Sequence, residues 1–301
     1  QSALAALTTG AKNTAIGYLA MTAQDTGGEN TVIGYNAFKT SESGENGNVI
    51  IGERAGYLIN DAGSDDNVII GGAAGHGGAA AMVGCVVIGK NAMQLTAGNA
   101  QTGTIAIGHS ALNALTTGDG NVAVGHTALD ANLVGSYNTA VGHETLTTFV
   151  ADDNNHGSNA VLGYHAGQFV STGTENTFVG ARAGQGLTGG DVLTGDSNTA
   201  VGASAGTLLQ SAAHENTFVG STAGDVLQTG SDNTCIGFGA DTDDATAVNQ
   251  SVIGHSTTGQ ADNSVTLGNA SVTDVYMAMN VGARFTIGTG GAVTMPNQPA
   301  F

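Results

Sequence analysis

A five-residue phrase, Asn-Thr-Ala-Ile-Gly at Asn13 to Gly17, returns in close variants along nearly the whole chain: NTVIG, NVIIG, NVAVG, NTAVG, NTFVG and NTCIG. The closing glycine recurs fifteen times, at Gly17, Gly34, Gly52, Gly71, Gly89, Gly108, Gly125, Gly142, Gly163, Gly180, Gly202, Gly220, Gly237, Gly254 and Gly268. Successive copies stand 17 to 22 residues apart until a final interval of 14. Catalysis needs a few groups gathered once in space, whereas a fixed period near 20 residues marks a solenoid whose coils stack on one another. The repeat therefore predicts an all-β chain. It reads as a parallel β-solenoid (β-roll) of about 15 coils with 17–18 residue repeats over residues 1–268, followed by a C-terminal transition segment, 269–301.

Each column of the repeat has a physical reading. Four residues before the glycine stands Asn in eleven copies: Asn13, Asn30, Asn48, Asn67, Asn121, Asn138, Asn159, Asn176, Asn198, Asn216 and Asn233. Stacked Asn side chains can hydrogen-bond from coil to coil and tolerate a tight turn. The glycine permits a φ that a side chain forbids. Three residues after it stands Ala in twelve copies, from Ala20 and Ala37 to Ala240, as a close approach of two segments requires. Extra residues enter only between that Ala and the next Asn, as in TTFVADDNNHGS and AGQGLTGGDVLTGDS, which marks a surface turn. The Asn and Gly columns are thus the structural ladder that the sequence nominates.

The pentapeptide is short, alternating and rich in β-branched residues, so it predicts a strand, and successive coils predict one parallel sheet along the axis. The stretch after the glycine stays open between two forms. SALNALTTG spaces Ala111, Leu112 and Leu115 as one helical turn would, while copies reading AG suit a turn and a second strand. The residue before the glycine is Ile, Val or Leu in all fifteen copies, and this uniform column is expected to face the coil interior. That reading turns the residue two before the glycine outward, where it runs Ala15, Val32, Ile50, Ile69, Val87 and onward, apolar in nearly every coil. Parallel strands apolar on both faces are buried on both faces. The stripe needs a cover, most simply other copies of the chain.

NSVTLG at Asn263 to Gly268 and NVAVG at Asn121 to Gly125 resemble the head repeats of trimeric autotransporter adhesins and related phage tail fibres. The longer NTAIGYLAMTAQDTGGENTVIGYNAF is similar to the repeats of phage-type fibre proteins, and the likeness runs from Gln1 to about Gly268. The adhesin head coil is shorter than these repeats, and only the final interval approaches it. The resemblance implies three chains packed about one axis, a homotrimer. QSALAALTTG at the start matches HSALNALTTG at His109 to Gly118 in eight of ten positions, so further repeats are expected upstream. From Ala261 the pattern fades toward Pro296 and Pro299, as at the exit from a fibre's repeat shaft, where a receptor-binding head or folding module is expected to follow.

Composition narrows the function classes. The net charge is −18, with only six Lys and Arg, and they are scattered, which argues against nucleic acid and anionic membrane surfaces as partners. No run of about 18 apolar residues offers a membrane insertion. Cys85 and Cys235 fall eight coils apart, which at ~4.8 Å per coil is roughly 38 Å, far beyond the reach of a disulfide. Both read as small buried fillers.

Three motifs invite chemistry. His109, His126 and His143 follow the glycine on consecutive coils, with His255 in the same slot later. Such a ladder can chelate a transition metal, but no Cys or carboxylate is fixed beside it by the pattern, and a solvated ladder is expected. The acidic stretches NDAGSDDN, ADDNNHG and GADTDDAT lack the spacing of a calcium loop and read as solvated turns. Tyr18 and Tyr35 share a slot on adjacent coils and read as a structural stack rather than a sugar platform. The string GASAG at Gly202 to Gly206 fits GxSxG in its letters but falls on the repeat's glycine corner, and the abundance of Ser, His and Asp along the chain is not geometry. No catalytic, cofactor or metal site is expected, and the chain is not expected to be an enzyme.

The function expected is a structural fibre segment, the shaft or repeat head of a phage tail fibre or bacterial surface adhesin. It would be extracellular, on a virion tail or bacterial cell surface, and would meet a cell-surface glycan or receptor through another module. The alternative is a solenoid surface that itself binds glycan, ice or a polymer. A polysaccharide depolymerase, which would need paired carboxylates on neighbouring coils, is more remote.

Overall fold

A computed structural model describes residues 3–24, 26–41, 44–78, 81–96, 100–151, 157–187, 191–273 and 275. Fifteen short strands form a single parallel sheet, one from each copy of the pentapeptide, running from Thr14–Ile16 to Ser264–Leu267. Equivalent positions pair in register, as Thr14 with Thr31 and Ala15 with Val32. No α-helix occurs among the described residues. The fold is the parallel β-solenoid that the period predicts. Fourteen strand intervals at ~4.8 Å make a rod of about 67 Å. The C-terminal segment expected from residue 269 lies outside the described residues apart from 269–273 and 275.

The Asn column runs inside the coil. Asn30 donates to Asn13 Oδ1 twice, from its backbone N–H at 3.0 Å and from Nδ2 at 3.2 Å, and Nδ2 also donates to the Glu45 carbonyl at 2.8 Å. Asn48 repeats the arrangement on Asn30 at 3.0 and 3.1 Å, with its second amide proton on the Ser64 carbonyl. Asn198, Asn216 and Asn233 do the same near the other end. Each of these ladder amides thus finds partners, which a polar group inside a core requires.

This placement reverses the expected inside and outside of the strand. Side chains alternate faces with a period of two, so an inward Asn takes with it the residue two before the glycine. Val32, Ile50, Ile69, Phe178 and Phe218 are completely buried. The uniform Ile, Val or Leu column faces outward, with Ile16 59%, Leu162 49% and Ile253 43% exposed. The Asn amides set the parity because their donors need carbonyls that lie within the coil.

At the glycine corner the backbone adopts φ +135 at Gly180, and a Cβ built there would stand 2.5 Å from the carbonyl oxygen of Gly202 on the next coil. Both the conformation and the approach exclude a side chain. The stretch that follows is neither a helical turn nor a strand. Its second and fourth residues both take a left-handed conformation, as Asn36 and Phe38 do at φ 55 and 47. Their N–H groups point opposite ways along the axis: Asn36 donates back to Tyr18 O and Phe38 forward to Ala55 O, each at 2.9 Å. Left-handed non-glycine residues cost about 1–2 kcal/mol each, which bonds to both neighbouring coils offset.

Copies reading AG and copies reading AL share this backbone, since Gly56 and Gly75 take φ 57 and 47 where Leu112 takes 48. They differ in how they fill the core. In three coils with alanine on the strand the turn supplies the bulk, Ala106 with Leu112, Ala123 with Leu129 and Ala140 with Leu146, whereas Ala200 faces Gly206 and the Phe218 ring of the next coil fills the space. In four coils with a bulkier strand residue the turn supplies glycine: Ile50 with Gly56, Ile69 with Gly75, Phe178 with Gly184, Phe218 with Gly224; valine strands sit between, as Val32 with Phe38. Close packing tolerates neither a void nor an excess, so the two columns compensate.

Both cysteines are buried and free. Burial pushes the Cys235 thiol up to about 12 and raises that of Cys85 as well. Protonated, enclosed thiols make poor nucleophiles.

Candidate functional site

Because strand parity turns the aliphatic column outward, the outer face of the sheet carries two ranks. One is the Ile, Val or Leu before each glycine, and the other stands two residues earlier and runs in blocks, aliphatic from Val49 to Val122 and Thr from Thr177 to Thr234, with Ser251 after them. Thr177, Thr199, Thr217 and Thr234 are direct neighbours on four adjacent strands. Cα spacing alone gives a footprint of about 470 Å² for two ranks along the rod. A contiguous apolar patch of about 300–600 Å² is already the largest on a typical monomer and is often functional.

Beside this face, just past the glycine corner, runs a column of rings. Tyr18 and Tyr35 stack at 5.5 Å with planes 9° apart. His109, His126 and His143 stack at 5.3 and 5.0 Å, and Tyr164 continues the column tilted, 5.7 Å beyond. His255 stacks on Phe238 at 5.3 Å, in a separate group. The expected stacks are formed, and a carboxylate stands beside the histidines after all. Glu144 Oε1 lies 3.8 Å from His143 Nδ1, and Oε2 lies 3.0 Å from His165 Nε2. The expectation that none was fixed there is corrected. Its signal was the residue immediately after His143, and the repeat masked it because equivalent positions on other coils vary. Asp130 also feels the ladder: its carboxyl stays raised by burial, which outweighs the opposing pull of His126 and His109.

Aspartates of the expected acidic turns accept backbone N–H groups, Asp61 from Gly63 and Asp244 from Thr246, and Asp65 joins aspartates of other turns in bonds between coils. Asp65 Oδ1 accepts from the Asn46 N–H at 2.6 Å, Asp119 from Thr102 at 3.0 Å, Asp196 from Thr174 at 2.7 Å and Asp262 from Val248 at 2.8 Å. An Asp on one coil thereby satisfies a donor on the coil before it, an inter-coil cap that a list of acidic stretches does not reveal. Of ADDNNHG, residues 152–156 lie outside the described residues.

One carboxylate pair does sit on neighbouring coils. Asp241 is half-buried in the inward turn column, and its carboxyl is raised to about 6, chiefly by burial and then by Asp225, with which it shares a hydrogen bond. Carboxyls in contact cannot flank a sugar as a glycosidase pair does, at about 5 Å or more. The pair bears on stability instead. An acid whose folded pKa exceeds its unfolded value favours folding while protonated, so its contribution is full below about pH 4 and fades as pH rises through about 6. Asp241→Asn is expected to raise the melting temperature at pH 7.5 and flatten its change between pH 5 and 7, read by thermal melts. An unaltered pH profile would refute this account.

A cleft of about 330 Å³ at the last coils is lined by Ser256, Thr258, Gln260, Thr266 and Asn269 among others, offering hydroxyls and amides but no acid or base. No helix of the described residues is long and apolar enough to cross a membrane. What fold and surface define is a parallel β-solenoid repeat protein with an exposed apolar face and a neighbouring ring column. No protein-family model matches the chain, and no curated protein matches it either.

Proposed function

We propose that this chain is a structural fibre segment, the shaft or repeat head of a phage tail fibre or bacterial surface adhesin, and that it self-associates through the outer face of its sheet. The observation that carries this reading is the unbroken rank of fifteen outward aliphatic side chains, from Ile16 to Leu267. Water-exposed apolar surface of that extent favours association. A homotrimer is the assembly implied by the resemblance to adhesin and fibre repeats. The setting proposed is extracellular, on a virion tail or bacterial surface, with a glycan or receptor met through another module. With six scattered cationic side chains against 24 acidic ones, nucleic acid is not a proposed partner, and no catalytic role is proposed. Light scattering on the chain at micromolar concentration is expected to report three times the 29.5 kDa chain mass. A stable monomer would overturn the proposal.

A second reading has one observation in its favour, the four adjacent outward threonines from Thr177 to Thr234. A regular hydroxyl and methyl array at strand spacing suits an ordered surface such as ice. It requires an uncovered face, so the same light-scattering measurement separates the readings, with thermal hysteresis as the direct assay.

A further inference from the structure

We propose that the histidine ladder holds a divalent transition metal of the zinc class, bound by His126, His143 and Glu144 on adjacent coils. One ligand atom from each of these residues lies within 4.8 Å of the others. Zinc bonds to imidazole nitrogen and carboxylate oxygen at about 2.0–2.2 Å, so donors around one ion must close to about 3.5 Å. The movement needed is roughly 1.3 Å. His126 and His143 are exposed, so turning their rings loosens the stack with His109 and Tyr164 but displaces no buried side chain. A metal lies near the plane of each imidazole that binds it, and the near-parallel rings, 5.0 Å and 10° apart, must therefore tilt toward each other.

The carboxylate is already oriented. Gln168 Nε2 donates to Glu144 Oε2 at 2.7 Å, and Gln185 Nε2 donates to Gln168 Oε1 at 2.8 Å, a relay running across three coils. His165 Nε2 stands 3.0 Å from the same Oε2. With that oxygen held, Oε1 is the one left toward His143. Outer partners of this kind fix a ligand's direction and tune its affinity. Two imidazoles and one carboxylate form a borderline donor set that selects zinc, nickel or copper over calcium and magnesium. Three protein ligands leave a position open for water. The chain's net charge of −18 favours a cation's approach. The site is independent of the assembly proposed above, since all its ligands come from one chain.

Calorimetric titration of the intact chain with zinc chloride tests it, with calcium chloride as the control cation and circular dichroism to confirm that each variant is folded. One zinc per chain is expected. His126→Gln, His143→Gln and Glu144→Gln should each weaken binding by at least about tenfold, since losing even an outer partner commonly costs 10–100-fold. Gln168→Ala should weaken it by about tenfold through the carboxylate it orients, while His255→Gln, altering the separate stack on Phe238, should leave it unchanged. Zinc affinity retained by the His126→Gln, His143→Gln double variant would overturn the proposal, as would calcium binding as tightly as zinc.

Discussion

Phe218→Ala is expected to destabilise the solenoid by about 3–5 kcal/mol, and Gly224→Leu in the same chain to restore a large part of that loss. The Phe218 ring fills space left by two glycines: a Cβ at Gly224 would meet it at 2.4 Å and one at Gly206 at 2.8 Å. Removing the ring leaves a cavity that the rigid turns cannot collapse into. Three other coils solve the same problem from the opposite side, with alanine on the strand and Leu112, Leu129 or Leu146 on the turn. Those leucines take φ 48, 52 and 51, and Gly224 already sits at φ 65, so the replacement leucine meets a backbone that leucine adopts elsewhere in the chain. Denaturant melts of the two single variants and the double variant measure the coupling. If the double variant is no more stable than Phe218→Ala, the size exchange between strand and turn is not what fills the core.

The second large effect separates assembly from folding. Val179→Asp with Val219→Asp places two charges on the outer face, where the fold itself asks nothing of the valines. The chain should keep its β spectrum and sediment as single chains. Val161→Asp, by contrast, buries a charge in a column that is fully enclosed, and an unpaired buried charge costs several kcal/mol, so that variant should lose its cooperative melt. Identical behaviour of the outer and inner variants would contradict the assignment of the two faces. Persistence of the assembly in the outer variant would remove the self-association reading.

The contrast between those columns also shows how far the sequence could be read. Period and strand position were legible, because Asn, Gly and the β-branched run recur at fixed offsets and each has a local cause. The direction of the strand faces was misread. The uniform Ile, Val or Leu column looked like a core and is a surface. Its uniformity reflects a position where every coil meets the same surroundings, whereas the true core column varies from Ala106 to Phe218 because a partner on the turn varies with it. That exchange is visible in part of the sequence, as AL beside Ala106 and Ala123 and AG beside Ile50, Ile69, Phe178 and Phe218, while Ala200 beside Ala205 and Gly206 departs from it because Phe218 of the next coil reaches across. The turn's alternating hydrogen bonds were not legible, since left-handed leucines and phenylalanines such as Leu112 and Phe38 go against local propensity and are held by neighbouring coils. Glu144 was missed for a related reason: its role depends on Gln168 and His165, 24 and 21 residues away in sequence, and no spacing within one repeat announces it.

Between its first and last asparagines the Asn ladder is broken at one place. Between Asn67 and Asn121 two coils carry Cys85 and Thr104 in its slot, and the Thr104 hydroxyl is buried without a partner. On those same coils Met82–Val83 and Gln101–Thr102 form an additional parallel pair, outside the main sheet. A pull along the rod passes through every junction in series, so the whole can bear only what its weakest joint bears. Where side-chain amides cease to bridge one coil to the next, backbone bonds take up the tension, and the splice lies off the main sheet. Stretched from its ends, such a rod is expected to part first at this joint near Cys85 and Thr104, however well the Asn-linked coils on either side hold.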